Sequence, residues 1–211
     1  MSAVRIAVLG ALVLAVAALT ASLGGLVALD VATRDWLIEH RARPLTAVMT
    51  AFTTIGSSAV LVTLAFGVMV WLGVARRRRE AVLVGGTTAG ALVLSPVLKN
   101  LVERARPGDA HLVLVNSWAY PSGHSLTSTA VIGVLTTLAA SHLASRRARA
   151  AVLVAGALLI AAVGISRVYL GVHWPTDVLA GWLIGALWLA VCLLVYDRAA
   201  RDRVRSGSPP R

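Results

Sequence analysis

The sequence contains a single cysteine, Cys192, which lies within the last long apolar run. One thiol cannot build a disulfide framework or a cysteine metal site. Charged residues are also scarce, at 14% of the chain, whereas 58% of residues are hydrophobic and the mean hydropathy is +0.81. This composition is not that of a soluble domain, and it predicts a membrane protein.

Acidic residues are few, nine against twenty Lys and Arg, so the formal net charge is +11. A basic chain can bind nucleic acid, but here the runs RRRR at 76–79 and RRAR at 146–149 adjoin apolar stretches. In that position basic residues fix membrane topology and contact anionic headgroups. We therefore expect membrane lipids, and no nucleic acid, among the partners.

Six apolar runs each approach the roughly 20 residues that a helix needs to cross a bilayer. They predict an all-α fold, a bundle of six transmembrane helices forming one integral-membrane domain over residues 1–211. Its motif-bearing core is expected at 81–197 and a disordered tail at 203–211. The runs are Ile6–Leu29, Ala59–Ala75, Ala81–Leu98, Leu126–Leu143, Ala150–Ile165 and Val178–Val195.

The first run has an alternative interpretation as a cleaved signal peptide, because Arg5 precedes it and small residues lie near its end. It is longer than the apolar core of a typical signal peptide, about 7–15 residues, so we expect a retained span. The segment that follows mixes charges with large apolar residues. This pattern is typical of a short amphipathic helix at the interface, bent or ended at Pro44, although an ordinary loop also fits.

Orientation follows from the distribution of the basic residues. If the amino terminus is cytoplasmic, thirteen of the twenty lie in inner segments. The positive-inside rule then predicts that both termini are cytoplasmic. The remaining seven would lie on the outer side: Arg34, Arg41, Arg43, Lys99, Arg104, Arg106 and Arg167.

Three polar clusters fall on that predicted outer side, within LKNLVERARPG, YPSGHS and ISRVYLGVHWPTDV. Each taken singly has a structural explanation, such as headgroup contact by Lys99 and Arg106 or helix capping by Ser122. Together they supply several cations, two histidines, a carboxylate and a glycine-containing helix start to one surface. Groups of these kinds bind phosphate, because cationic side chains and free backbone N–H groups stabilise its charged oxygens.

Chemical roles follow from these residue types. Lys99, Arg106 and Arg167 are candidate phosphate ligands, and Ser122 and Gly123 would add a hydroxyl and an accessible backbone at the helix start. His173 lies four residues before Asp177, and a carboxylate that orients a neutral imidazole makes it a competent nucleophile. His124 would protonate the leaving oxygen.

These residues resemble the three-part signature of the type 2 phosphatidic acid phosphatase superfamily. The pattern KxxxxxxRP occurs at Lys99–Pro107, PSGH at Pro121–His124 and SRxxxxxHxxxD at Ser166–Asp177. The resemblance implies a phosphohistidine on His173 that is oriented by Asp177, with protonation by His124. It also implies phosphate binding by Lys99, Arg106, Ser122, Gly123 and Arg167, and hydrolysis by water without a metal or other cofactor.

The expected activity is therefore hydrolysis of a lipid phosphate or diphosphate at the outer membrane face. Candidate substrates are polyprenyl diphosphate, phosphatidic acid and phosphatidylglycerol phosphate, and the sequence leaves the choice and the oligomeric state open. Alternatives are a vanadate-dependent haloperoxidase-like enzyme and a catalytically silent lipid-binding or scaffold protein. A zinc site formed by the two histidines and Asp177 is a further alternative, but the clustered cations already supply its positive charge.

Overall fold

The computed structural model describes residues 3–205, and within that range the chain is helical with no β-strand. A 3₁₀ turn at Leu23–Leu26 separates the first two helices. Of the predicted disordered tail at 203–211, residues 203–205 belong to the last helix, and residues from 206 onwards lie outside the described range. The helices are α1 Ala3–Ala21, α2 Val27–Glu39, α3 Arg43–Ile55, α4 Ser58–Val74, α5 Arg78–Val102, α6 Gly123–Ser141, α7 Arg146–Tyr169 and α8 Pro175–Arg205.

Three of the described helices are long and apolar enough to cross a membrane: α5, α7 and α8 up to Ala199. Two bent pairs, Leu9–Ala21 with Leu23–Glu39 and Arg43–Ile55 with Ser58–Val74, satisfy the same criteria jointly, with bends of 68° and 47°. The structure thus supports a helical membrane bundle with three clear spans, or five if each bent pair crosses as one.

The amino-terminal region differs in detail from the sequence expectation. The predicted first span is interrupted at the 3₁₀ turn, where Gly24 and Gly25 lower the helix propensity. The segment expected to form one short interfacial helix contains α2 and α3. Pro44 lies in the first turn of α3, where its missing N–H costs no helical hydrogen bond.

The centre of the bundle is α6, which contacts α4, α5, α7 and α8. Every residue from Ser125 to Val134 is buried. Two of its hydroxyls form hydrogen bonds within the helix, since those of Ser128 and Thr129 both donate to the Ser125 carbonyl, at 3.2 and 2.7 Å. α6 is not among the three clear spans, and the surrounding helices bury it so that it need not present a fully apolar surface to lipid.

A close approach between α6 and α8 fixes the end of the bundle where the motifs meet. A Cβ on Gly181 would lie 2.7 Å from the Ser122 carbonyl oxygen and 2.7 Å from the Ser125 Cβ. Only a residue without a side chain lets α8 pack this closely on the start of α6. The backbone N–H of Ser122 also donates to the Asp177 carbonyl at 2.9 Å.

We predict that Gly181→Ala lowers the free energy of unfolding by about 1–3 kcal/mol, because the added methyl group overpacks the α6–α8 contact. The matched control is Gly67→Ala on α4, where the new Cβ would have no atom within 4 Å. That change should be neutral or slightly stabilising, since Ala is the better helix former. Thermal unfolding in detergent micelles measures both, and equal melting temperatures for the two variants would contradict the prediction.

Candidate active site

His173 lies in the short loop between α7 and α8 and is only 2% exposed. Its Nδ1 atom is 3.3 Å from Asp177 Oδ2, and its Nε2 atom is 3.2 Å from Arg106 Nη1. A guanidinium nitrogen only donates, so Nε2 is the acceptor and Nδ1 carries the proton that it donates to Asp177. This tautomer leaves the Nε2 lone pair on the side of the cation cluster.

Electrostatics favour the neutral form of this imidazole. Burial lowers the pKa of His173 well below its usual range, and the neighbouring charges of Arg106, Arg167 and Lys99 lower it further. A neutral imidazole keeps its lone pair available for attack at ordinary pH. The environment of His173 therefore favours the neutral form that nucleophilic chemistry requires.

Asp177, in the first turn of α8, is completely buried, and its carboxylate accepts three hydrogen bonds. Its Oδ2 atom accepts from the Trp174 backbone N–H at 2.9 Å as well as from His173, and its Oδ1 atom accepts from Arg104 Nη1 at 2.6 Å. A buried carboxylate needs such partners to offset the loss of hydration. Together they fix the carboxylate against the imidazole.

The three predicted cations line a single cavity of about 370 Å³ together with Gly123, His124 and His173. Lys99 and Arg167 are buried, and carbonyl or hydroxyl oxygens hold all three. Arg106 donates to the Ser117 and Val172 carbonyls, each at 2.5 Å, and Arg167 donates to Thr53 Oγ1 at 2.5 Å. Lys99 Nζ donates to the Trp118 carbonyl.

One buried N–H group of these three cations has no hydrogen-bond partner in the described part of the chain and could bind a ligand. The Nε atom of Arg167 is buried and has no hydrogen-bond partner among the described residues. A buried N–H without a partner is costly, and an anionic oxygen would satisfy it. The cavity thus combines the imidazole of His173 with cationic donors suited to a phosphoryl group.

The PSGH segment starts α6 beside this cavity, but its residues differ in position. His124 and Gly123 line the cavity, whereas Ser122 is buried outside the cavity lining. Ser122 Oγ caps α6 by accepting from the Ser125 N–H at 3.5 Å, and the Ser125 hydroxyl donates to it at 3.1 Å. The predicted phosphate contact of this hydroxyl stays a prediction.

Helix packing also explains why residue 123 is a glycine, in addition to its predicted contact with a ligand. A Cβ at this position would lie 2.8 Å from Ser95 Oγ and 3.8 Å from Lys99 Cε. The absence of a side chain therefore allows the start of α6 to approach α5 next to Lys99. The first N–H groups of a helix have no partner within the helix, and Gly123 and His124 at this helix start line the cavity.

Arg104 is a site residue that the sequence analysis counted only as an outer cation. Besides Asp177 it contacts Thr176 Oγ1 at 2.7 Å and Asp30 Oδ2 at 2.7 Å. Asp30 in turn accepts from the Thr176 backbone N–H at 2.9 Å and from its hydroxyl at 2.6 Å. This Asp30–Arg104–Asp177 network ties α2 to the start of α8 directly behind His173.

Two signals in the sequence indicated these partners, but only weakly. Arg104 lies inside the Lys99–Pro107 motif, and Asp30 is the first acidic residue of the chain, placed where the first apolar run ends. Thr53, the partner of Arg167, had no signal of its own, because it is one of four threonines in α3. Among the described residues no group of three or more His, Cys, Asp or Glu side chains could hold a metal ion.

Both a protein-family model and individual curated proteins match this chain. Residues 80–201 match the PAP2 superfamily. Phosphatidylglycerophosphatase B of Bacillus subtilis is 37% identical over 145 residues, which cover 68% of this chain and 71% of that protein. An undecaprenyl-diphosphatase of Sulfolobus acidocaldarius is 35% identical over 107 residues, 47% of each chain.

A solved structure supports the same comparison for the fold. The crystal structure of a transmembrane PAP2-type phosphatidylglycerolphosphate phosphatase from Bacillus subtilis superposes with a TM-score of 0.85 at 30% sequence identity. The superposition covers 90% of this chain and 96% of that one. The bundle is therefore shared over nearly its whole length.

We predict that Arg104→Gln lowers kcat by on the order of 10²-fold with little change in KM, because an unanchored Asp177 carboxylate misplaces the imidazole. Hydrolysis of a lipid phosphate in detergent micelles measures both constants. Arg104→Lys should recover part of kcat, since it keeps one cationic donor. Arg147→Gln, an exposed charge removal at the start of α7, is the control and should leave both constants unchanged. A purely structural role would instead lower the active fraction at constant kcat, and that result would contradict the prediction.

Proposed function

The chain belongs to the PAP2 superfamily, and from this membership we propose that it is an integral-membrane phosphatase that hydrolyses lipid phosphate or diphosphate monoesters through a phosphohistidine intermediate. One observation carries the proposal. The Nε2 atom of His173 is the acceptor of the Arg106 contact at 3.2 Å while Nδ1 is directed to Asp177. The nucleophilic lone pair and the phosphate-binding cations therefore share one cavity.

In the first step His173 Nε2 attacks phosphorus and a P–N bond forms. The P–O bond to the lipid breaks, and its electron pair moves to the leaving oxygen, which His124 protonates. Asp177 accepts the Nδ1 hydrogen bond throughout and stabilises the positive charge that develops on the ring. Arg106 must turn from Nε2 to a phosphate oxygen for this attack to occur.

In the second step water attacks phosphorus and gives a proton to His124. The P–N bond breaks, its electron pair returns to Nε2, and inorganic phosphate is released. Lys99, Arg106 and Arg167 stabilise the charge on the phosphoryl oxygens in both steps, together with the backbone N–H of Gly123. These cations supply the charge that a metal provides in other phosphatases, so the proposal includes no metal.

The surroundings of the cavity support a lipid substrate. Its wall includes Val113, Leu114 and Val115 from the segment between α5 and α6, and Leu114 is 99% exposed. An exposed leucine beside a charged cavity suits a substrate with an anionic head and an apolar tail. The named activities of the relatives support phosphatidylglycerol phosphate and polyprenyl diphosphate as substrates, and phosphatidic acid has the same phosphate monoester.

The finer topology belongs to the same proposal. We propose one domain with its motif-bearing core at 81–197, six spans with α6 as the protein-enclosed one, both termini in the cytoplasm and the active site on the outer side. Arg76 to Arg79 and Arg146 to Arg149 would then lie inside, as the positive-inside rule requires. Lipid intermediates displayed on the outer leaflet would be the accessible substrates.

His173→Ala should abolish turnover and the labelled phosphoenzyme while the protein still folds, because the residue lies in a loop outside the apolar core. Rapid acid quench with a ³²P-labelled lipid phosphate detects the intermediate. Asp177→Asn should retain some phosphoenzyme but slow its formation by on the order of 10⁴-fold, as in other His–Asp pairs. A phosphoenzyme in His173→Ala at the wild-type level would refute the assignment of the nucleophile.

Sidedness can be tested by cysteine labelling in a Cys192→Ala background. The two positions are Asp109, whose side chain is 80% exposed in the segment between α5 and α6, and Arg78, at the start of α5. Asp109→Cys should react with an impermeant thiol reagent applied to spheroplasts, and Arg78→Cys should react only after permeabilisation. The reverse pattern would place the phosphatase site on the cytoplasmic leaflet.

A further inference from the structure

A second cavity of about 560 Å³ lies between α5 and α8 at the end of the bundle remote from His173. Tight packing closes its inner end, since the indole Nε1 of Trp188 donates to the Thr87 carbonyl at 2.9 Å. Val82, Val191 and Val195 contribute to its apolar walls. The cavity is therefore a largely apolar slot between α5 and α8.

Charge is confined to one end of this slot, where Arg78 and Arg79 begin α5. About twenty residues of α5 separate these arginines from Lys99, or roughly 30 Å along a helix. The slot is thus distinct from the phosphate-binding cavity and has no part in the proposed reaction.

Arg79 is the residue whose environment indicates a ligand. Its guanidinium carbon lies 5.8 Å from the centroid of the Tyr196 ring, and its Nη2 atom is buried without a hydrogen-bond partner among the described residues. The preceding Arg77, by contrast, donates to Glu80 at 3.1 and 2.5 Å. A buried guanidinium N–H at the mouth of an apolar slot is satisfied by an anionic oxygen.

We propose that this slot binds one anionic phospholipid, with its phosphate on Arg79 and one acyl chain between α5 and α8. The polarity of the slot matches such a molecule, because the walls are apolar over the depth of the cavity and positive only at the opening. Basic residues next to a transmembrane helix attract anionic lipids in this way. A zwitterionic lipid would gain the apolar contact but less from the two arginines.

A glycine in the wall permits a direct steric test. Gly86 lines the slot, and a Cβ there would have no atom within 4 Å, so a larger side chain at this position starts from open space at the slot wall. Gly67 on α4 is equally open but lies away from the slot. Gly86→Leu and Gly67→Leu therefore form a matched pair, as do Arg79→Gln and Arg147→Gln for the charge.

Native mass spectrometry of delipidated protein in detergent, titrated with dioleoylphosphatidylglycerol or dioleoylphosphatidylcholine, measures the binding. We expect one tightly bound dioleoylphosphatidylglycerol in the wild type, binding about fivefold weaker in Arg79→Gln, and loss of the site in Gly86→Leu. Both controls should bind as the wild type does, and phosphatase activity in all four variants should stay at the wild-type level, which shows that the fold is intact.

Three results would overturn the proposal. Equal binding of the two lipids by the wild type would show that the headgroup is not recognised. Unchanged binding in both Arg79→Gln and Gly86→Leu would place the bound lipid elsewhere, including in the phosphate-binding cavity. A dimer that dissociates only in Gly86→Leu would assign the slot to a second copy of the chain.

Discussion

The buried carboxylate of Asp177 is the constraint on which the site depends. A fully enclosed charge is unfavourable unless several donors surround it, and here a guanidinium, a backbone N–H and an imidazole N–H do so. The imidazole and the backbone N–H belong to the adjacent residues His173 and Trp174, whereas the guanidinium of Arg104 comes from the segment that follows α5. Satisfying one carboxylate therefore fixes the positions of Arg104, the first turn of α8 and His173 relative to one another.

The charge network around Asp177 also includes an amino-terminal helix. Arg104 bridges Asp177 to Asp30, so α2 is held at the site by a charge network rather than by apolar contact alone. Arg167 has a comparable link to Thr53 on α3. The second bent pair thus contributes Thr53 and Thr54 to the walls of the His173 cavity, although the three signature motifs all lie in α5 to α8 and their loops.

The central helix α6 shows that a helix enclosed by protein can carry many hydroxyl side chains. A helix in contact with lipid must present apolar side chains, whereas one enclosed by protein can carry hydroxyls if they return their hydrogen bonds to the helix itself. Ser128 and Thr129 do so. Small side chains there also allow the close approach of Gly181 that brings the PSGH segment to the start of α8.

The sequence by itself determined the helical membrane class, the motif residues and the adjacency of His173 and Asp177, because apolar run length and a four-residue spacing at a helix start are local properties. The tertiary structure decided the break in the first predicted span, the central place of α6 and the capping position of Ser122. It also decided the pairing of Arg104 with Asp30, which are 74 residues apart. Such pairs depend on which helix faces pack together, and a pattern of hydropathy does not encode that choice.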